Sequence, residues 1–171
     1  MESKSQKNWS MADISAKKTT RRVAIAGGRI VVGAEAFERI RDGSMPKGDP
    51  LAMAEIAGIQ AAKQTPSLIP LCHPISLNRV MVYPVMRPAE YAIELFCLAE
   101  IAEKTGVEME SLTGLSIALL TIWDLSKPVN PALEITGQRL IYKSGGKSGT
   151  WVHPDGIPGE VVDILAELGL T

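Results

Sequence analysis

The chain has 171 residues, of which 46% are hydrophobic, with 19 acidic and 18 basic side chains. This length suffices for one domain that folds alone, since such a chain buries roughly 70% of its unfolded surface. A net charge of −1 argues against a surface built mainly to hold nucleic acid or anionic lipid, so any basic site is expected to be local.

The N-terminal segment, residues 1–20, is expected to be a flexible arm. Residues 1–22 carry six basic side chains against two acidic ones and show almost no apolar periodicity. They lack the apolar stretch of a signal peptide, and no later run reaches the ~18 apolar residues of a membrane-spanning helix. Two cysteines are too few for a disulfide scaffold, so we expect a cytoplasmic protein without a membrane partner.

The next part of the chain predicts a strand and two helices. Residues 22–32 are rich in Val and Ile and indicate a strand that bends at a Gly pair, and residues 34–41 have apolar side chains at helical spacing. After a loop rich in Gly and Pro, Asp49 is expected to cap a helix over residues 51–63. Prolines at 66, 70 and 74 predict that this helix ends before an irregular segment.

The second half predicts a hairpin, a long helix and a further strand. Residues 78–87 and 91–100 indicate two strands joined by a tight turn, and Leu side chains at spacings of three and four indicate a helix over residues 107–125. Residues 133–142 indicate the last core strand. Helices that alternate with an antiparallel hairpin predict an α+β, ferredoxin-like two-layer sandwich over residues 21–150. Residues 151–171 are expected to be a C-terminal extension with a short helix.

The long helix carries charged residues near both ends. Fourteen helical steps from Glu110 to Asp124 return to within roughly 40° in azimuth but advance roughly 21 Å along the axis. The two carboxylates therefore lie on one face but cannot form a pair. If both are functional, they contact opposite ends of a long ligand or complete different sites with help from another chain, which motivates an oligomer. Asp124 and Lys127, three residues apart, form a workable acid/base couple; the alternative is an ordinary surface ion pair.

The glycine-rich segment KSGGKSG places Lys143 and Lys147 where backbone amides and two ammonium groups can converge on phosphate oxygens. The alternative is a solvated turn, and Lys47 and Lys63 are by themselves ordinary exposed lysines. His73 lies in a proline-constrained segment and is suited to donate to or accept from a ligand, or else it is a satisfied structural histidine. The sequence indicates no metal site.

Four segments of the sequence together resemble a known family. They are KGDPLAMAEIAGIQAAK, LIPLCHPISL, EKTGVEMESLTGLSIALLTIWDLSK and KSGGKSG, in this order. They closely resemble the cyclic pyranopterin monophosphate synthases of molybdenum cofactor biosynthesis, and the likeness runs from about residue 11 to residue 149. The resemblance implies a ferredoxin-like subunit in a homohexamer, a trimer of dimers with sites between subunits. It also implies a phosphorus–oxygen lyase that converts 3′,8-cyclo-7,8-dihydroguanosine 5′-triphosphate to cyclic pyranopterin monophosphate and diphosphate.

The same resemblance implies roles for particular residues. Asp124 and Lys127 would be the catalytic couple. The substrate-binding residues would come from the LCH and VEME segments and from four lysines: Leu71, Cys72, His73, Met109, Glu110, Lys47, Lys63, Lys143 and Lys147. No cofactor is expected to be required, and magnesium, should it assist the triphosphate, has no ligands assigned.

Two other classes of protein compete with this interpretation. A non-catalytic module that binds a phosphorylated ligand would keep the lysines without needing Asp124, since this fold hosts many functions. An RNA-binding sandwich would require exposed aromatic side chains on a basic sheet face. Three Tyr, two Phe and three Trp with a slightly acidic balance argue against the RNA-binding class, so no nucleic acid partner is expected.

Overall fold

In a computed structural model, which describes residues 9–170, a five-stranded sheet carries helices on both faces. Residues 1–8 of the expected arm and Thr171 lie outside the described residues. The elements follow one another as β1 (Thr20–Val31), α1 (Ala34–Arg41), α2 (Pro50–Leu68), β2 (Arg79–Arg87), β3 (Ala92–Glu103), α3 (Glu108–Ser126), β4 (Glu134–Ser144), β5 (Trp151–Val152) and α4 (Gly159–Glu167).

The sheet confirms the predicted α+β class. Its strands are all paired antiparallel in the order β2-β3-β1-β4-β5, so β3 lies between β1 and β2. The first four strands with the intervening helices form the β-α-β-β-α-β arrangement of ferredoxin-like sandwiches. The pairing of β1 with β4 shifts register around Gly27, where the sequence predicts a bend.

The side chains of β3 alternate between two clusters on opposite faces of the sheet. Ile93, Leu95 and Cys97 are fully buried in the main core, to which α1, α2 and α3 contribute. Phe96 and Leu98 face the other way and are covered by α4. Alternate side chains of β3 therefore point to opposite faces of the sheet, as the sequence predicts, and both faces of the strand are buried.

One predicted boundary is wrong. The helix predicted over residues 51–63 spans Pro50–Leu68, with Pro66 inside it, whereas Pro66 was expected to break the chain after the helix. Proline holds φ near the helical value and here removes a single backbone donor near the end of the helix. Ala62 and Thr65 are fully buried, and the amide of Ile69 still donates to the Thr65 carbonyl, so packing holds the last turns in place. The predicted N-cap is confirmed, because Asp49 accepts from the amides of Leu51 and Ala52.

Glycines let α2 and α3 approach closely. A Cβ on Gly114 of α3 would lie 2.8 Å from Cys97 Sγ and 3.0 Å from the carbonyl oxygen of Gly58. Gly58 faces Ala118, and Gly114 faces Ala62, so the two helices run antiparallel. The loop before α2 is thereby placed beside the C-terminal end of α3.

Candidate functional site

Three charged residues meet at the C-terminal end of α3, and we call them the C-terminal cluster: Lys47, Asp124 and Lys127. Lys127 Nζ lies 2.6 Å from Asp124 Oδ1, and Lys47 Nζ lies 3.2 Å from Asp124 Oδ2. Lys47 also donates to the main-chain carbonyl oxygen of Asp124 at 3.3 Å, where the helix dipole favours a cation. Because α2 runs antiparallel to α3, a lysine 77 positions earlier in the chain reaches this carboxylate.

The electrostatics of the C-terminal cluster favour an ionised carboxylate. The hydrogen bond from Lys127, followed by the one from Lys47, holds the pKa of Asp124 below its usual range. The three side chains are about half exposed, at 53%, 53% and 44% for Asp124, Lys127 and Lys47. A ligand can therefore reach both ammonium groups and the carboxylate from solvent.

A second group of residues lies at the opposite end of α3, and we call it the N-terminal cluster: Leu71, Cys72, His73, Met109 and Glu110. These five residues line one cavity of about 210 Å³, together with Glu108 and parts of neighbouring loops. The irregular segment after α2 supplies the first three residues, and the first turn of α3 supplies the others. The structure thus brings together five of the residues for which the family resemblance implies contact with a substrate.

Burial perturbs the acids of the N-terminal cluster. Glu110 is only 3% exposed, and burial, with a smaller contribution from the charge of Glu108, raises the pKa of its carboxyl group. Burial and the charge of Glu110 likewise raise the pKa of the Cys72 thiol. His73 Nε2 lies 2.8 Å from the carbonyl oxygen of Ala12, which ties residues 9–19 to this cavity. A carboxyl with a raised pKa can exchange a proton closer to neutral pH.

The glycine-rich loop joins the N-terminal cluster through an ion pair. Lys143 Nζ lies 2.9 Å from Glu108 Oε1, and Glu108 lines both the cavity of the N-terminal cluster and an adjoining cavity of about 140 Å³. The adjoining cavity is also lined by Lys147 and Arg22. Glu108 therefore connects the loop to the cavity of the N-terminal cluster. The sequence gives this residue no clear role, because it lies about 200° from Glu110 around the helix.

Several basic residues lie beside the glycine-rich loop, and the sequence did not predict this position for them. Arg22 and Lys147 line a third cavity, of about 560 Å³, with Lys17 and Lys18 of the arm. The six basic side chains in the first 22 residues were the available signal, but no spacing rule places an arm against a loop more than a hundred residues later. Lys63 is exposed on α2 and makes no ion pair within residues 9–170.

The structure thus divides the predicted residues between two ends of one helix. The rise of an α-helix places Glu110 and Asp124 roughly 21 Å apart. Lys47 lies with Asp124, whereas Lys143 and Lys147 lie near Glu108, so the four predicted lysines do not converge within one chain. These features define an α+β protein with exposed carboxylate and ammonium groups at one end of its long helix and cavities lined by acidic and basic side chains at the other. Within residues 9–170, no helix is long and apolar enough to cross a membrane.

Comparison with known proteins identifies the family. Residues 11–146 match the model of the MoaC family. A relative from Heliobacterium modesticaldum is 44% identical over 145 residues, covering 85% of this chain and 91% of its own. A relative from Chloroflexus aurantiacus is 47% identical, covering 84% of this chain and 88% of its own. A relative from Pelobacter propionicus is 44% identical, covering 87% of this chain and 93% of its own. The chain belongs to the MoaC family, and all three relatives are named cyclic pyranopterin monophosphate synthase.

Proposed function

We propose that this chain is a cyclic pyranopterin monophosphate synthase of molybdenum cofactor biosynthesis, with a cyclised dihydro-GTP as its substrate. The observation that carries the proposal is the Asp124 carboxylate held between the ammonium groups of Lys127 and Lys47 at 2.6 and 3.2 Å. These residues belong to two of the sequence segments that resemble the family, and the relatives from Heliobacterium modesticaldum and Chloroflexus aggregans that carry this name are 44% and 48% identical to the chain. An enzyme is therefore favoured over a binding module.

The proposed chemistry begins with proton transfers. Opening the reduced imidazole ring and rebuilding it as a pyrazine requires protons to move on and off ring nitrogens and sugar carbons, with no net redox change. An ionised Asp124 is suited to accept a proton, and Lys127, at 2.6 Å, is suited to return one. Glu110, whose buried carboxyl has a raised pKa, is a second group that can exchange protons with the substrate.

The second part of the proposed chemistry takes place at the phosphates. A sugar hydroxyl oxygen attacks the α-phosphorus, the bond from that phosphorus to the diphosphate breaks, and the hydroxyl proton passes to a base. Such a step is that of a phosphorus–oxygen lyase. Lysines near the leaving diphosphate stabilise its growing negative charge. Lys143, at the end of β4, and Lys147, in the glycine-rich turn that follows, line one cavity and fit this role.

The division between two clusters supports a homo-oligomer. Within one chain, a nucleotide would have to span roughly 21 Å along α3 to contact both the C-terminal cluster and the N-terminal cluster. A second subunit that places its N-terminal cluster beside the C-terminal cluster of the first would bring both clusters within reach of one nucleotide. Met53 and Ile56 of α2 and Leu120 of α3 are exposed at 47%, 63% and 53%, which leaves an apolar helix surface to be covered. A hexamer built as a trimer of dimers is the assembly that we propose.

The environment and the cofactor needs are also part of the proposal. Cys72 and Cys97 are both free thiols, which fits a reducing cytoplasm. No cofactor is proposed to be required. Magnesium would assist through the triphosphate itself, and no group of three or more His, Cys, Asp or Glu side chains in residues 9–170 is arranged to hold a metal ion.

Direct conversion tests the proposal. The purified protein is supplied with 3′,8-cyclo-7,8-dihydroguanosine 5′-triphosphate, and we expect diphosphate in solution together with a product that becomes a fluorescent pterin on oxidation. Binding of this nucleotide without release of diphosphate would instead indicate the non-catalytic phospholigand module. The molar mass in solution is the accompanying measurement for the hexamer, and a stable monomer with full activity would contradict sites shared between subunits.

A further inference from the structure

The chain continues beyond the residues that match the family model. The match ends at residue 146, whereas β5 and α4 lie within residues 151–170, which we call the C-terminal extension. We use the name glycine-rich loop for residues 143–149, which are the last two residues of β4 and the loop after them. We propose that the C-terminal extension positions the glycine-rich loop and that Arg21 connects the two. The inference rests on the proposed function for the role of Lys143 and Lys147 in holding phosphates.

β5 makes the glycine-rich loop part of a hairpin. Lys143 pairs with Trp151 and Tyr142 pairs with Val152, and the amide of His153 donates to the carbonyl oxygen of Ile141 at 2.8 Å. The returning strand of this hairpin has only two residues. So short a strand is a weak anchor by itself, since isolated hairpins are marginally stable, and the segment after it must hold it in place.

α4 provides that anchor on the outer face of the sheet. Val161, Ile164 and Leu165 are 0%, 6% and 3% exposed and pack in the cluster that contains Phe96 and Leu98. Near the start of α4, Glu160 accepts a hydrogen bond from Arg87 at 2.6 Å. Apolar burial along one side and an ion pair at one end therefore fix the helix against the strands.

Arg21 binds the other end of α4 and also supports the loop. Its two Nη atoms each lie 3.3 Å from the carbonyl oxygen of Leu168, and its Nε donates to Glu100 at 2.7 Å. On its backbone side, a Cβ on Gly145 would collide with the carbonyl oxygen of Arg21. Gly145 has a φ of +99°, so both its conformation and this close approach require glycine. One residue of β1 thus touches both the end of the C-terminal extension and the glycine-rich loop.

Arg22 completes the support under the loop. Its guanidinium donates to the carbonyl oxygens of Glu103 and Lys104 at 3.0 and 3.2 Å, which fixes its plane. A Cβ on Gly146 would collide with this guanidinium. The loop therefore lies against two consecutive arginines of β1. Loosening α4 is expected to free the Arg21 guanidinium from Leu168 and to weaken the hold on the two-residue strand β5. Lys143 and Lys147 would then occupy a wider range of positions.

Two substitutions in α4 form a matched pair for the test. Ile164→Ala removes buried contacts of α4 without changing charge, and Val162→Ala shortens a neighbouring side chain that is 44% exposed. For Ile164→Ala we expect KM for the cyclised nucleotide to rise about fivefold with kcat within about twofold of wild type. We also expect faster hydrogen exchange at the amides of residues 145–149. Val162→Ala should match wild type in both measurements.

Arg21→Lys is a further variant, which keeps the positive charge and leaves the buried contacts of α4 unchanged. Lysine cannot present the paired Nη donors to Leu168, so the same rise in KM and in loop exchange is expected. Unchanged KM and unchanged loop exchange in this variant, or a lower kcat with KM unchanged, would overturn the proposal. The exchange measurement and the affinity for inorganic triphosphate do not require turnover, so they decide the positioning role even if the wild-type protein converts no substrate and the proposed function fails.

Discussion

Asp124 and Lys127 lie one helical turn apart, and their side chains meet at 2.6 Å on the last turn of α3. An ion pair of this spacing on an exposed helix contributes little to stability, because solvent screens it. Lys47 nevertheless reaches the same carboxylate from a loop 77 positions away. Two ammonium groups around one exposed carboxylate therefore add little to the stability of the fold, and the proposed function gives them a role in acid/base chemistry.

Asp124→Asn should abolish turnover while leaving the fold and the assembly intact. The amide keeps the shape of the side chain but cannot accept a proton, and loss of a general base typically reduces kcat by about 10²–10⁴-fold. The measurement is the rate of diphosphate release, with circular dichroism and molar mass recorded for the same preparation. Asp42→Asn is the matched control, because Asp42 is also an exposed carboxylate paired with a basic side chain, Arg41. Retained activity of Asp124→Asn would remove this residue from the mechanism.

Two inactive variants should restore activity when they are mixed. In Asp124→Asn the C-terminal cluster is damaged, and in Lys143→Ala the glycine-rich loop is damaged. If each site combines one cluster from each of two chains, random mixing leaves about a quarter of the sites intact, and activity should recover to that level. The assay is diphosphate release from co-expressed variants.

The control for this mixing experiment uses two variants of the same cluster. Asp124→Asn mixed with Lys127→Ala should stay inactive, because every site then contains one damaged C-terminal cluster. No recovery with Lys143→Ala, at a ratio that forms mixed oligomers, would show that the two clusters do not combine between subunits.

Glu110→Gln should change the pH dependence of stability. Burial raises the pKa of Glu110 in the folded protein. The stabilisation linked to its bound proton is therefore complete at pH values below the pKa that Glu110 has in the unfolded chain. This stabilisation is lost as the pH rises through the pKa that Glu110 has in the folded protein. Glutamine stays neutral. The variant should therefore gain free energy of unfolding relative to wild type as pH rises from 4 to 7. Denaturant unfolding at a fixed protein concentration measures this, because assembly also contributes. The exposed Glu134→Gln is the control, and an equal shift there would contradict the burial argument.

Gly114→Ala should destabilise the contact between α2 and α3. The added methyl group would meet Cys97 Sγ at 2.8 Å and the Gly58 carbonyl oxygen at 3.0 Å, so a helix must move. Such overpacking typically costs about 1–3 kcal/mol of the free energy of unfolding. Gly159→Ala, where an added Cβ has no heavy atom within 4 Å, should change it by less than about 0.5 kcal/mol. Thermal or denaturant unfolding compares the two, and equal effects would contradict close helix packing.

Local rules explain the parts of the fold that the sequence predicts well. Asp49 caps α2 because its side chain reaches amides two and three residues ahead. The alternation of β3 and the length of α3 likewise depend on neighbours along the chain. Pro66 is the exception, because burial of Ala62 and Thr65 decides where α2 ends, and burial depends on residues far away in the sequence.

Sequence patterns are sufficient to select the candidate residues, because Asp124, Lys127, Glu110 and the lysines of KSGGKSG stand in recognisable segments with fixed spacing. Only the tertiary structure placed Lys47 beside Asp124, paired Lys143 with Glu108 and seated α4 on the outer face of the sheet beside Arg21. Each of these contacts joins residues between 35 and 147 positions apart. Periodicity describes only the residues within a turn or a strand, so the antiparallel packing of α2 on α3 and the order of the strands had to bring these groups together.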